Sequence, residues 1–337
     1  MSKANILITG GSGFIGSNFI PYILETYSGY HVVNIDKLTY AGNNENLSEV
    51  KNNPNYTFIE GDICNKTLLK ELFQKYRFQR VVHFAAESHV DNSIHGPEVF
   101  VQTNIYGTWN LIENAYRLWM KAPFQVEDEF KNAVFHHVST DEVYGSLGET
   151  GLFTETTPYA PNSPYSASKA SSDLMVRSYF HTYGLQVVTS NCSNNYGPKQ
   201  HSEKLIPTII RKALSHEPIP IYGDGKNVRD WLYVRDHCVG IDLCMHEGEF
   251  GETYNIGGRN EKTNLEIVHT ICKILDQKKP IATGKSYKEF ITFVKDRPGH
   301  DKRYAIDASK IEEQLGWRAD ENFESGIQKT VDWYLSK

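Results

Sequence analysis

Tyr165-Ser166-Ala167-Ser168-Lys169 sets a phenol and an ammonium four residues apart. On a helix that spacing puts both on one face. A free tyrosine has a pKa near ~10, so about one in a thousand is ionised at neutral pH. A neighbouring cation favours the phenolate. Such a pair can take a proton from a hydroxyl while hydride leaves the same carbon. The spacing alone is unspecific, because Tyr222 and Lys226 share it. Those two straddle Gly223-Asp224-Gly225, which reads as a turn. Ser163-Pro164 instead supplies a helix start directly before Tyr165.

The second candidate is an adjacent carboxylate pair. Val134-Phe135-His136-His137-Val138-Ser139 reads as a strand that runs into Thr140-Asp141-Glu142. In open α/β sheets, ligands bind beyond the carboxyl ends of the strands. Two carboxylates there are costly unless solvated or used. If their surroundings split their pKa values, one can act as base and the other as acid. The plain alternative is a polar loop with a helix-capping Asp.

The third is a glycine-rich turn, Thr9-Gly10-Gly11-Ser12-Gly13-Phe14-Ile15-Gly16. Gly10, Gly13 and Gly16 fit G-x-x-G-x-x-G, and Gly11, Gly13 and Gly16 fit G-x-G-x-x-G. Such a turn lets backbone approach a pyrophosphate at a helix N-terminus. Asp36 follows Gly16 by twenty residues, at the end of the second strand. A carboxylate there binds a ribose diol and repels the extra phosphate of NADP, which favours NAD; Lys37, next to it, tempers that preference. A Walker-type phosphate loop fails, because Lys279 stands where the first glycine before Gly284-Lys285-Ser286 belongs.

These residues need a frame. Strands are expected at Asn5–Thr9, His31–Asp36, Tyr56–Glu60, Arg80–Phe84, Ala133–Ser139 and Gln186–Ser190. Helices are expected between them at Phe14–Thr26, Lys66–Tyr76, Glu98–Met120 and Pro164–Tyr183. The alternation predicts an α/β fold, a doubly wound parallel (Rossmann) sheet. After residue 190 turn residues become frequent, and helical patterns recur at Lys204–His216, Val234–Met245, Thr263–Leu275 and Asn322–Leu335. We read a Rossmann unit over 1–190 and a smaller mixed α/β C-terminal substrate lobe over 191–337, with the helix near 234–245 returning to the first unit.

The 337 residues carry 35 Lys+Arg against 41 Asp+Glu, a net charge of −6. That balance argues against nucleic-acid binding, which needs a basic field. No run approaches the ~20 apolar residues of a membrane span, and no secretory signal is evident at the start. Five cysteines without a Cys-x-x-Cys pair read as reduced thiols in a cytoplasmic protein. Thirteen histidines show no ligand spacing. His136 and His137 should face opposite sides of a strand, so no metal is expected.

With the turn, the Tyr165/Lys169 pair and the lobe order in hand, the chain resembles the extended short-chain dehydrogenase/reductase superfamily, over about Asn5 to Tyr334. Within it, the chain is most similar to the dTDP-glucose 4,6-dehydratases. Ser139-Thr140-Asp141-Glu142-Val143-Tyr144-Gly145 is the most specific match, since the epimerases of the superfamily lack the Asp-Glu pair. Ala85-Ala86-Glu87-Ser88-His89-Val90-Asp91, Asn191-Cys192-Ser193-Asn194-Asn195-Tyr196-Gly197-Pro198, Arg229-Asp230-Trp231-Leu232-Tyr233-Val234 and Arg297-Pro298-Gly299-His300-Asp301 match as well.

The resemblance implies a lyase that takes dTDP-glucose to the 4-keto-6-deoxy sugar nucleotide, with NAD retained through turnover. Thr140, Asp141, Glu142, Tyr165 and Lys169 would be catalytic. Tyr165 would deprotonate O4 with Thr140 on the same oxygen, Glu142 would remove the C5 proton, and Asp141 would protonate the leaving C6 hydroxyl. The implied NAD positions are Gly10, Gly13, Phe14, Ile15 and Gly16; Asp36, Lys37, Leu38 and Thr39; Asp62 and Ile63; Phe84, Ala85, Ala86 and Ser88; and Thr103, Tyr165, Lys169 and Asn195. The implied sugar-nucleotide positions are Ser88, Thr140, Asn194, Lys204 and Leu205; Pro220, Ile221 and Tyr222; Arg229 and Asn264; and Asp296, Arg297, Pro298, Gly299 and His300. Arg229 and Arg297 would be the local cations for a diphosphate. A homodimer is implied, with Glu98–Met120 and Pro164–Tyr183 as candidate interface helices. The alternatives are a UDP- or CDP-sugar dehydratase, a 4-epimerase, and a non-catalytic NAD-binding regulator.

Overall fold

Short apolar runs buried on both faces build the centre of the molecule, as a parallel sheet covered by helices requires. The computed structural model describes residues 4–296 and 300–337. The main sheet holds β1 (Ala4–Thr9), β2 (Tyr30–Asp36), β3 (Tyr56–Glu60), β4 (Arg80–His83), β5 (Val134–Thr140), β6 (Val187–Cys192) and, later in the chain, β10 (Thr253–Ile256). The order is β10-β6-β5-β4-β1-β2-β3, all parallel. The chain winds outward from β1 to β3 and then returns to β4 on the other side of β1. This reversal opens a crevice at the carboxyl ends of β1 and β4.

Helices α1 (Phe14–Thr26), α2 (Lys66–Tyr76), α3 (Thr108–Trp119) and α4 (Pro164–Tyr183) connect these strands. Leu72, Phe73, Leu111, Ile112 and Val176 pack α2, α3 and α4 on one face of the sheet. On the other face Phe19 and Ile23 of α1 meet Cys238, Ile241 and Cys244 of α6 (Val234–Glu247). Strand β10 was not expected. It has only four residues, one of them the polar Asn255, so its register on β6 (Thr253↔Thr189 to Ile256↔Cys192) is a tertiary decision.

The expected single helix Glu98–Met120 is also modified. Its path is π-helical over Val101–Gly107 before α3 begins at Thr108. Asn104 on that segment brackets Glu87, accepting from its N–H at 2.8 Å and donating to its carbonyl at 3.0 Å. It also donates to Ser168 Oγ at 2.8 Å. Such bulges recur at functional sites.

A separate core lies beyond the sheet, where Ile206, Ile209, Trp231, Ile267, Ile271, Phe323 and Ile327 meet. It joins α5 (Leu205–Leu214), α7 (Asn264–Lys278) and a C-terminal helix over Phe323–Leu335. Its sheets are small: β9 (Val228–Tyr233) lies between β7 (Asn194–Tyr196) and β11 (Glu261–Thr263), and β8 (Ile219–Tyr222) pairs with β12 (Ile291–Val294). All five cysteines are free thiols. Among the described residues no helix is long and apolar enough to cross a membrane.

Candidate active site

Helix α4 is started by a reciprocal cap, as Ser163-Pro164 suggested. Ser163 Oγ accepts from the Ser166 N–H and Ser166 Oγ from the Ser163 N–H, both at 3.0 Å, with Pro164 at the first helical position. Tyr165 and Lys169 therefore share a face one turn apart. Both are buried, and Lys169 Nζ donates to the Val138 carbonyl at 2.9 Å. The Tyr165 hydroxyl shares a hydrogen bond with the Thr140 side chain. Burial drives the Tyr165 phenol well above its ordinary value, and the Glu142 charge adds to this; the Thr140 bond opposes it. Burial lowers the Lys169 ammonium, opposed by Asp173. Burial and the Glu142 charge thus favour the neutral Tyr165 phenol, so a nearby cation is needed to make it a base.

Strand β5 ends at Thr140, and one tight turn over Asp141–Tyr144 follows. Thr140 Oγ1 accepts from the Glu142 N–H at 3.3 Å and so caps that turn. Asp141 is 2% exposed, and its Oδ2 has no hydrogen-bond partner among the described residues. Burial, then the charges of Glu142 and Asp230, push its carboxyl well above the usual range, against the pull of Arg229. The shift favours the protonated form, which suits Asp141 to act as an acid. Glu142 is half-buried, and its charge raises the Tyr165 and Tyr304 phenols. The environment splits the pair by burial, the condition for acid and base in one site.

At the other end of the crevice, Gly10 has φ +69, and a Cβ there would stand 2.6 Å from the Ala85 nitrogen. A Cβ on Gly16 would stand 2.6 Å from the Gly10 carbonyl oxygen, so strand, turn and helix touch directly. Gly13 caps α1 without a side chain, which leaves the first-turn N–H groups to a ligand. Asp36 accepts from the Ser12 N–H at 2.9 Å and the Leu38 N–H at 2.8 Å. Lys37, whose charge spoke for NADP, is neutralised by Asp62 at 2.7 Å. Burial alone would raise Asp62, but Lys37 and the Cys64 N–H outweigh it and hold the carboxyl below its usual range.

One cleft of about 310 Å³ joins these parts. Gly10, Gly13, Phe14, Ile15, Gly16, Asp36, Lys37, Thr39, Asp62 and Ile63 line it. So do Phe84, Ala85, Ala86, Ser88, Thr103, Thr140, Asp141, Glu142, Tyr165, Lys169 and Asn195. Leu38 does not; it turns with φ +53 and contributes its N–H to Asp36. Of the sugar-nucleotide positions, Ser88, Thr140, Asn194 and Lys204 line the cleft, with Lys204 Nζ donating to the Ser88 carbonyl at 3.0 Å.

Leu205, Pro220, Ile221, Tyr222, Arg229, Asn264, Asp296 and His300 lie outside that lining, on the C-terminal elements. Several of them gather beside the chain end of β12. His300 Nδ1 is 2.7 Å from Asp296 Oδ1, and the Tyr222 ring centre is 6.3 Å from that of His300. Arg229 is buried, donates to the Asp301 carbonyl at 2.8 Å and stacks 4.2 Å from the Tyr304 ring centre. Arg297, Pro298 and Gly299 lie outside the described residues.

Sequence reasoning missed Tyr304, three residues beyond the last matching motif, and the cleft-lining Glu87, Cys192, Gln200, His201 and Glu203. Gln200 Oε1, Glu203 Oε1 and Asn194 Oδ1 are buried without hydrogen-bond partners among the described residues, polar atoms that a polar ligand can satisfy. His136 and His137 do face apart, to Ser190 Oγ and Asp173. Among the described residues no three His, Cys, Asp or Glu side chains gather as metal ligands.

The family model for GDP-mannose 4,6 dehydratase matches residues 7–330. A dTDP-glucose 4,6-dehydratase of Xanthomonas campestris pv. campestris is 56% identical over 334 residues, covering 99% of this chain and 93% of that protein. The crystal structure of dTDP-glucose 4,6-dehydratase from Bacillus anthracis in complex with NAD superposes with a TM-score of 0.86 at 46% identity, covering 99% of this chain and 97% of that one. That of the Streptomyces venezuelae enzyme with NAD and dTDP bound superposes with a TM-score of 0.89 at 43% identity, with the same coverage of both chains. By sequence over nearly its whole length and by fold, the chain belongs to the dTDP-glucose 4,6-dehydratase family.

Proposed function

We propose that the chain converts dTDP-glucose to dTDP-4-keto-6-deoxyglucose and water with a retained NAD. The observation that carries this reading is the carboxyl pair: buried Asp141, whose carboxyl burial pushes up, and half-buried Glu142 in the same cleft as Tyr165 and Lys169.

The residues present fit NAD. Gly13, which caps α1 with no side-chain bond, leaves the first-turn N–H groups to a pyrophosphate, Asp36 suits a ribose diol, and Lys37 is already paired. Bound NAD supplies a hydride acceptor at C4 and returns that hydride to C6, so the cycle has no net redox change. Tyr165 takes the O4 proton, and Thr140 holds the same oxygen. The ketone acidifies C5–H, and Glu142 removes that proton. Asp141 delivers its proton to the C6 hydroxyl, which leaves as water, and C5 is reprotonated. Two carboxyls are needed because one bond loses H⁺ while its neighbour loses OH⁻.

The sugar nucleotide extends from the cleft toward Arg229, Asn264, Tyr222, Asp296 and His300. Residues 1–190, with the helix near 234–245, form the NAD-binding unit, and 191–337 form the sugar-nucleotide lobe. The pairing of β10 on β6 adds a second return to the first unit. The protein works as a homodimer through the 98–120 and 164–183 helical faces. Val99 (44% exposed), Val101 (54%) and Leu174 (57%) on those faces support it. The five free thiols support a cytoplasmic setting.

Proton NMR of dTDP-glucose in D₂O with the protein and no added NAD tests the reading. The expected result is a new C6 methyl signal with deuterium at C5. A galactose-type anomeric pattern would make it an epimerase. Turnover only with UDP- or CDP-glucose would reassign the base, and no change with any of them would leave a non-catalytic NAD binder.

A further inference from the structure

Helix α4 carries a third ionisable group on the face of Tyr165 and Lys169: Asp173, one further turn along. It is 4% exposed. His137 Nε2 lies 2.9 Å from its Oδ1, and the Ser139 and Tyr159 hydroxyls donate to its Oδ2 at 2.8 and 3.0 Å. His137 and Ser139 belong to the end of β5, immediately before Thr140-Asp141-Glu142. Val138, between them, accepts from Lys169 Nζ. Three consecutive residues of β5 are thus fastened to α4, two by Asp173 and one by Lys169.

We propose that Asp173 is a positioning residue for C4 oxidation: its buried carboxylate anchors the end of β5 to α4 and supplies the counter-charge that keeps Lys169 an ammonium. The inference rests on the proposed role of Tyr165 and Lys169 in that step.

The groups facing this centre supply no competing anion. His137 is held neutral by burial, with its Nε2–H assigned to Asp173 and its Nδ1 unpartnered among the described residues. His83 of β4, whose ring centre is 5.4 Å from that of His137, is likewise neutral through burial. Cys192 of β6 is kept a thiol, and Tyr144, Tyr159 and Tyr165 are kept phenols, all by burial first. Asp141 and Glu142 stand in the turn that follows β5, and burial favours the protonated form of Asp141. Asp173 is then the carboxylate on the Lys169 side of β5. Three donors hold its two oxygens.

Asp173→Asn tests this. The Ser139 and Tyr159 hydroxyls can reverse from donor to acceptor, so the amide can be accommodated while the charge is lost. Two readouts apply to the purified holoprotein. In single turnover, the alkaline limb of the pH profile for NADH formation should move down by about one to three pH units, with about a tenfold loss of rate per unit above the shifted limb. Substrate KM and C5 exchange of the 4-keto product should not change. In trace acetylation across pH, read at Lys169 by peptide mass spectrometry, the midpoint should fall by the same amount. Asp173→Glu, which keeps the charge, should restore both.

Superimposable profiles and midpoints in Asp173→Asn and the parent would overturn the proposal. Should Asp173→Asn fail to fold, the parent alone decides it. A Lys169 midpoint above neutral pH is expected, and one at or below neutral would show that no counter-charge holds it. A parent that forms no NADH transient would instead overturn the proposed function, and the labelling midpoint would still judge the charge claim.

Discussion

The two reacting pairs share one cleft but are prepared by opposite consequences of the same burial. Desolvation raises Asp141, which is what a general acid needs, so the acid of the elimination pair is prepared by the protein itself. Desolvation also raises Tyr165 and lowers Lys169, which is the reverse of what a base and its helper need. The redox pair therefore depends on neighbouring charge: a cation at Tyr165 and the anion of Asp173 near Lys169. An acid can be made by burial alone, whereas a phenolate base must be assembled from charges.

The sharpest way to break this contrast is at Tyr165. Tyr165→Phe should abolish single-turnover NADH formation, a loss at or beyond ~10⁴, the upper end for a proton-transfer group. A normal transient would place the base elsewhere. Glu142→Gln should slow solvent exchange at C5 by ~10²–10⁴ while NAD stays bound, and unchanged exchange would remove Glu142 from that step.

Asp141→Asn sharpens the contrast through pH. Asp141 acts protonated and its folded pKa is raised, so water loss should be sustained below that pKa and decline as pH rises through it. The variant should lose water ~10²-fold or more slowly and lack that limb, with the first hydride step less affected. An equal fall in NADH formation would show that Asp141 is not the specific acid.

Gly10→Ala should cost ~1–2 kcal/mol of backbone strain at φ +69, before any clash with Ala85, and should release the retained NAD on gel filtration. Lys37→Ala should do least. It removes an exposed ion pair with Asp62, expected to be worth under about 1 kcal/mol in thermal unfolding. A large effect there would mean that the cofactor end, too, is governed by charge.

Local signals were legible where they were self-contained. The bounds of Phe14–Thr26, Lys66–Tyr76 and Pro164–Tyr183 match the expectation because their start signals are local: the glycine turn before Phe14 and the side-chain caps of Asn65 and Ser163. Strand β10 was hidden because four residues with a central Asn carry no strand signature. The π-helical turn was hidden because it answers to Glu87 and Ser168, remote in sequence. Arg229 was legible as a cation, but not its engagement with the carbonyl of Asp301 and the ring of Tyr304. Tyr304 itself obeys no spacing rule. Asp173 stood in plain view four residues after Lys169, and only its three donors distinguish it from a surface acid.

What the sequence by itself determined is the set of short-range devices: the glycine turn, the capped helix with Tyr165 and Lys169 on one face, and two carboxyls at a strand end. These depend on backbone geometry over a few residues. Only the tertiary structure decided the direction in which those groups shift, because desolvation and charge proximity involve Cys192 of β6 and Arg229 and Asp230 of β9, brought together from far along the chain.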